Sequence, residues 1–273
     1  MQKQKLQRFS EYSLSTYLLC PRKYRYTYIE KPFKNQKKAL NVNFIFGNII
    51  HQACKYFYDK KAEDRTLDSL HNLFRELWKR MGIRSFFNTR EEEREMGIKG
   101  LEMLSNFFNT FANKVPYNRE EYMEINVRDY ILFGRVDRID ISSDSHLHIV
   151  DYKTTKYYDV GEDNKDRDRK TIQLKFYAYL LDKLRSNVAT ASFYHFDEDK
   201  FDTVEFSHDS ILYIGEWFDE IINDIRYDRV YNKSVGPHCK FCDFVSKCYN
   251  NENSIDDITL SNDEIISNEN ELF

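Results

Sequence analysis

No apolar run in this chain approaches the about 18 residues that a membrane-spanning helix needs, so no span is expected. The basic N-terminus has no hydrophobic stretch behind it, and no secretory signal peptide is expected either. There is no Gly-Lys dipeptide, hence no phosphate-binding loop and no ATP-driven motor is expected. The five cysteines make an odd set for a secreted disulfide framework, and a 273-residue chain has no need of one. Metal ligation in a reducing, cytoplasmic setting is the better expectation. The segment 251–273 has no Lys or Arg at all and seven acidic residues.

What is present is charge, at 32%, and aromatic side chains, at 16%. That is ample material for a soluble globular core of one large domain. Net charge is −4, but it is unevenly spread: residues 1–40 hold ten Lys or Arg against two acids. A basic front and an acidic tail are hidden in the average.

The stretch from Gly134 to Lys153 carries the strongest chemical signal. Phe133, Val136, Ile139 and Ile141 mark one β-type run, and Leu147, Ile149 and Val150 another, with Ser142–Ser145 as a turn between them. Two paired strands bring Asp137 and Asp151 side by side. Adjacent carboxylates repel, and a divalent cation is the usual compensation. Period-two geometry puts Lys153 on the same side as Asp151. Such a site suits metal-assisted phosphodiester hydrolysis. Taken alone, the stretch also reads as a hairpin with surface salt bridges.

Elsewhere the pattern is helical. Residues 1–12 are polar and expected to fray, and Ser13 is a candidate N-cap for a helix carrying Leu14, Tyr17 and Leu18. Cys20-Pro21 begins a new helical turn in which basic residues alternate with tyrosines. This segment suits either phosphate contact by Arg22 and Lys23 or an amphipathic helix with its tyrosines in the core. Residues 29–43 read as a basic loop. A helix from Asn43 to Lys60 carries His51 beside its apolar face, and Cys54 as a small core residue. Two amphipathic scaffold helices follow, marked by Leu67–Met81 and Leu101–Phe111. The sheet is expected from about Tyr122. Lys156–Lys170 reads as a charged loop, either closing over DNA or a plain insertion. Gln173 and Tyr177 share a face of a helix spanning Ile172–Leu184, strands are expected at Val188–Phe196 and Phe201–Phe206, and a last long helix at Ile211–Ile225. Cys239, Cys242 and Cys248 form a metal knuckle short of one ligand, for which His238 is the local candidate.

These segments, in this order, resemble the PD-(D/E)XK nuclease superfamily in its RecB-like exonuclease branch. Phe46-Gly47-Asn48-Ile49-Ile50-His51 resembles the branch's histidine helix, Gln173 to Tyr177 its Gln-x-x-x-Tyr motif, and Cys20 with Cys239, Cys242 and Cys248 the four-cysteine frame of AddB and of CRISPR-associated adaptation nucleases. The likeness covers roughly Ser13 to Cys248. It implies an α/β fold in which a mixed central sheet, like that of restriction endonucleases, is flanked by helices, and a domain from 13 to 248 followed by a flexible acidic tail. It implies Mg²⁺ or Mn²⁺ held by His51, Asp137, Asp151 and the main-chain carbonyl of Tyr152. Lys153 would position or activate the water, with Gln173 and Tyr177 in support. Cys20, Cys239, Cys242 and Cys248 would hold a [4Fe-4S] cluster joining the two ends of the domain, with zinc the alternative. The branch has a glutamate near Glu124, which is not assigned a catalytic part. The activity implied is a deoxyribonuclease working on single-stranded DNA ends in recombination or repair, with any unwinding of a duplex supplied by a separate helicase or recombination partner or completed before cleavage. A DNA end-processing factor of CRISPR adaptation and an inactive DNA-binding module are the alternatives.

Overall fold

A computed structural model describes residues 6–31, 41–155 and 164–250. In chain order the elements are β1 (Gln7–Phe9), α1 (Glu11–Leu19), α2 (Pro21–Tyr24, continued by a π-helical turn over Arg25–Glu30), α3 (Val42–Phe57), α4 (Leu67–Arg80), α5 (Arg90–Phe111), β2 (Asn118–Val127), β3 (Tyr130–Ile141), β4 (Leu147–Lys153), α6 (Asn164–Arg185), β5 (Val188–His195), β6 (Lys200–Glu205), α7 (His208–Tyr227) and α8 (Val245–Asn250).

Local chemistry sets the helix starts. Ser10 caps α1 and bonds reciprocally with Ser13, so Ser13 is the third helical residue and not the cap. The residues before it do not fray as a whole, because Gln7–Phe9 form a strand and Phe9 is buried. Thr66, Thr89 and Ser207 cap α4, α5 and α7 in the same reciprocal way. Helix α6 begins at Asn164, so the second half of the expected charged loop is helical; 156–163 lie outside the described residues, as do 32–40 of the basic loop and 251–273 of the acidic tail.

The six-stranded sheet runs β1-β3-β4-β5-β6, with β2 also on β3. β1 and β3 are parallel, as are β4 and β5, which α6 connects; the other pairs are antiparallel. Leu132 pairs with Ile125 of β2 on one side and with Phe9 of β1 on the other, while Ile139 pairs with Asn118 of β2 and Ile149 of β4. β1 and β4 therefore share one edge of β3. Between them, from Phe133 to Asp137, that edge carries no strand among the described residues.

Each face of the sheet has its own core. Leu14, Tyr177, Leu181, Phe218 and Ile222 from α1, α6 and α7 cover one face, with Leu132, Val136 and Ile149. Phe46, Ile50, Phe57, Phe74 and Phe107 from α3, α4 and α5 cover the other, with Val150, Tyr152 and Tyr194. Cys54 is a buried core residue of the second cluster. No described helix is long and apolar enough to cross a membrane.

Candidate metal-dependent active site

The site forms where the open edge of β3 meets the end of β4. The β3–β4 ladder ends where Arg138 pairs with Val150, and Asp137 and Asp151 are the first residues beyond it on the two strands. The Tyr152 N–H donates to Asp137 Oδ2 at 2.8 Å, and the Tyr152 side chain lies in the core beneath. His51 reaches the pair from α3, its Nδ1 3.1 Å from Asp137 Oδ1. Gly47, one turn before His51, makes this approach possible. A Cβ there would sit 3.1 Å from Thr154 Oγ1, just past β4.

Glu120 completes the group, and it was not among the residues singled out in the sequence. His51, Glu120 and Asp137 each offer a ligand atom within 4.8 Å of the others. Strand alternation brings Glu120 to the face of His51 and breaks just beyond it. Val136 packs against the α6 side of the sheet, yet Arg138, two residues on, contacts Tyr58 and Phe111 on the α3 side. Its ladder partners switch in step: Glu121 is bound by Arg185 at the end of α6, while Arg119 bonds the Lys55 carbonyl and Asp59 near the end of α3. The reversal falls on Glu120, whose φ is 49°, and on its opposite number Asp137. Counted from Val136 and Glu121, period-two geometry puts both carboxylates on the α3 side, beside His51, and the irregularity comes immediately after them. Glu124, the glutamate noted in the sequence, is instead on the surface, paired with Arg8 at 2.7 Å.

Asp151 belongs to a second, adjoining knot. Lys153 Nζ lies 2.8 Å from its Oδ2 and donates to Gln173 Oε1 at 2.6 Å. Gln173 Nε2 donates to Asp151 Oδ1 at 3.1 Å and to the Tyr177 hydroxyl at 3.3 Å. Gly134 gives Tyr177 its place, since a Cβ there would meet the ring at 2.9 Å. The Gln-x-x-x-Tyr pair thus lies against the carboxylate and the lysine.

Electrostatics follow from this packing. Burial disfavours the charged imidazole of His51, but the Asp137 carboxylate outweighs it and pushes His51 up to about 9. Burial alone would raise Asp137; the His51 charge and the hydrogen bonds from His51 and Tyr152 hold it below the usual carboxylate range. Asp151 is raised by burial, and by Asp137, despite Lys153. Burial opposes the Lys153 ammonium, but Asp151, Asp137 and Glu11 raise its pKa. Glu120 is raised by burial and by Asp137. An excess of carboxylates around one imidazole is a donor set that fits a divalent ion.

A separate pocket gathers all four cysteines of the expected frame. Cys20, Cys239, Cys242 and Cys248 line it, with Tyr26, Val235 and Phe244 as apolar walls. Burial pushes the Cys20 thiol up, yet a hydrogen bond from His238 and the backbone amides of Ser234, Lys23 and Arg22 bring it down to about 7. Four thiols, one already acidic, facing one enclosed space fit a thiophilic metal centre. Arg22 and Lys23 line this same pocket, and Arg22 Nε donates to the Tyr231 carbonyl at 2.8 Å. Their placement is thus beside the thiols and not beside the carboxylates.

This sheet, with its paired carboxylates and lysine at one strand end, has the form of a metal-dependent nuclease. Residues 8–249 match the PD-(D/E)XK nuclease superfamily, and the chain belongs to that superfamily. Membership implies a divalent metal and a DNA substrate. A comparison with curated proteins gives no match. Among solved structures, a candidate exonuclease from Eubacterium rectale is similar at 10% identity and a TM-score of 0.53, covering 96% of this chain and 94% of its own. The crystal structure of SSO0001 is similar at 16% identity and a TM-score of 0.36, covering 90% of this chain and 87% of its own.

Proposed function

We propose that the chain is an exonuclease that hydrolyses phosphodiester bonds from single-stranded DNA ends. The observation that carries the reading is the meeting of His51, Glu120 and Asp137 within ligand distance of one another, beside an Asp151–Lys153 pair. His51, Glu120, Asp137, Asp151 and the Tyr152 carbonyl would hold the ion. A divalent ion bound there supplies positive charge to the scissile phosphate and lowers the pKa of a water. Asp151 and Gln173 fix the direction of the Lys153 ammonium. Its raised pKa keeps it protonated, so it orients the attacking water and steadies charge on the phosphate without taking a proton. Tyr177 braces Gln173, and solvent water protonates the leaving oxygen.

The preference for single strands is supported by Phe44. It lies seven residues before His51 on the same face of α3, about 10 Å up the helix axis, and is 68% exposed. A ring so placed suits stacking on a base near the scissile phosphate. The name of the Eubacterium rectale protein of this fold agrees with end-directed cleavage. Lys23 and Arg22 would extend the phosphate track.

We assign the cysteine pocket a [4Fe-4S] cluster held by Cys20, Cys239, Cys242 and Cys248. His238 could serve the alternative Cys₃His zinc site only through Nδ1, because its Nε2 faces the Ser234 carbonyl at 3.0 Å. A carbonyl only accepts, so that nitrogen carries the proton. The decisive assay is digestion of end-labelled single- and double-stranded DNA with Mg²⁺ or Mn²⁺. Wild type should shorten single strands from an end, and Asp137→Ala, Asp151→Ala and Lys153→Ala should be inactive while still binding DNA. Full turnover by Lys153→Ala would sink the mechanism.

A further inference from the structure

Cys20 is remote in sequence from the other three thiols, and something other than a metal already holds it beside them. The chain after α7 runs back along the start of α2. Arg22 N–H donates to the Asn232 carbonyl at 3.2 Å, and the Ser234 N–H points at Cys20 Sγ at 3.4 Å. The Ser234 carbonyl faces the other way. It accepts from His238 Nε2 at 3.0 Å and lies 3.8 Å from Cys239 Sγ. One peptide strap thus touches the lone N-terminal cysteine and the first cysteine of the knuckle. The His238 ring is closely seated: a Cβ on Gly236 would lie 3.1 Å from its Cε1 and Nδ1. The Cys239 N–H donates to the Gly236 carbonyl at 2.9 Å, which ties the ring's clamp to the knuckle.

We propose that His238 is a positioning residue of this pocket, whose ring, seated on Gly236 and bonded to the Ser234 carbonyl, holds the strap so that the Ser234 N–H stays on the Cys20 sulfur. This rests on the assignment of a cluster to the four thiols. The N–H···S bond then limits the departure of the one ligand that no neighbour in sequence supports. Outer partners of metal ligands commonly contribute about 10–100-fold to metal retention. His238 acts through Ser234 and Cys20 and contributes no bond to the metal.

The test uses full-length wild type, His238→Ala and His238→Gln. Glutamine can still donate to the Ser234 carbonyl but is a poor ligand for iron. Hydrogen exchange at the Ser234 amide, followed in metal-free protein, should speed up about tenfold or more in His238→Ala and change little in His238→Gln. After reconstitution with iron and sulfide, release of iron to a chelator, read from the visible absorbance, should be about 10–100-fold faster in His238→Ala. In His238→Gln it should stay close to wild type. Unchanged exchange and unchanged release in His238→Ala overturn the proposal. Loss of the cluster in both variants, with exchange at Ser234 intact, also overturns it and makes His238 a ligand. A wild type that takes up no chromophore refutes the cluster assignment, while the exchange experiment still decides whether His238 holds the strap.

Discussion

Arg138 follows Asp137 and is 0% exposed, the largest fully buried side chain of the domain. It sits in a cage of acceptors. Its Nε donates to Asp140 Oδ2 at 2.8 Å, Nη1 to the Tyr58 hydroxyl at 2.8 Å and Nη2 to the Lys114 carbonyl at 2.6 Å. The two halves of the ion pair are unequally placed, because the Asp140 carboxylate is 26% exposed while the guanidinium sees no water. Arg138→Met fills similar volume and leaves Asp140 to be hydrated. The Tyr58 hydroxyl keeps its bond to the Phe111 carbonyl. The cost should be that of a few displaced hydrogen bonds, about 1–3 kcal/mol. Asp140→Asn instead strands a buried cation without its counter-charge, which costs about 3–5 kcal/mol. The milder-looking substitution is therefore the more damaging one. Urea unfolding followed by far-ultraviolet circular dichroism, with both variants in the same metal state, reads the difference. At a slope of about 2–3 kcal/mol/M, a 2 kcal/mol gap separates the midpoints by roughly 0.7–1 M. Equal midpoints, or a lower one for Arg138→Met, would refute this account of the buried pair.

Three further outcomes follow from the site. Glu120→Gln should weaken Mn²⁺ binding about 10–100-fold by titration calorimetry without lowering the unfolding midpoint; unaltered affinity would remove Glu120 from the ligand set. His51 titrates at about 9 in the metal-free protein against 6.5 for the free side chain, so its link to Asp137 contributes fully below pH 6.5 and is lost as pH rises through 9. Metal must displace that proton, so Mn²⁺ affinity should gain up to about tenfold per pH unit on approaching pH 9, and a flat profile would count against His51 as a ligand. Phe44→Ala should raise KM for single strands about 5–100-fold, in keeping with about 1–3 kcal/mol per stacked base, and leave kcat little changed; equal loss on a blunt duplex would argue against stacking.

Local periodicity made legible the strands carrying Asp137, Asp151 and Lys153 and the helices carrying His51, Gln173 and Tyr177, whereas the roles of His51, Gln173 and Tyr177 came only from the family resemblance. The four cysteines were legible only as a spacing, and the structure supplies the strap between them. Glu120 was not legible. Strict alternation of β2 against Met123 and Ile125 does put Glu120 on the side of His51, but it puts Tyr122 and Glu124 there too, and nothing in residues 118–121 singles out one acid as a ligand. β1 was missed because three residues carry too little pattern, and their partner on β3 is over a hundred residues away. The first turns of α6 were missed because 164–170 are almost wholly polar, so no apolar stripe marks them. The bond from Arg22 Nε to the Tyr231 carbonyl was not legible either, because the two residues are over two hundred positions apart.

The union of the two chain ends has a consequence for synthesis. Strands β3 to β6 can all pair once residue 205 has been made. The segment made first cannot be settled then: Tyr17 waits for Asp228, Arg22 for Tyr231, Cys20 for Ser234 and Glu30 for Lys247. On a ribosome adding about 5–20 residues per second, α1 and α2 therefore spend seconds without their partners, longer than local helix formation needs. Tyr17 and Cys20 lack those bonds throughout the interval. This segment is made well before the residues 228–247 that brace it, and a protease or an oxidant acting in that interval meets it unbraced.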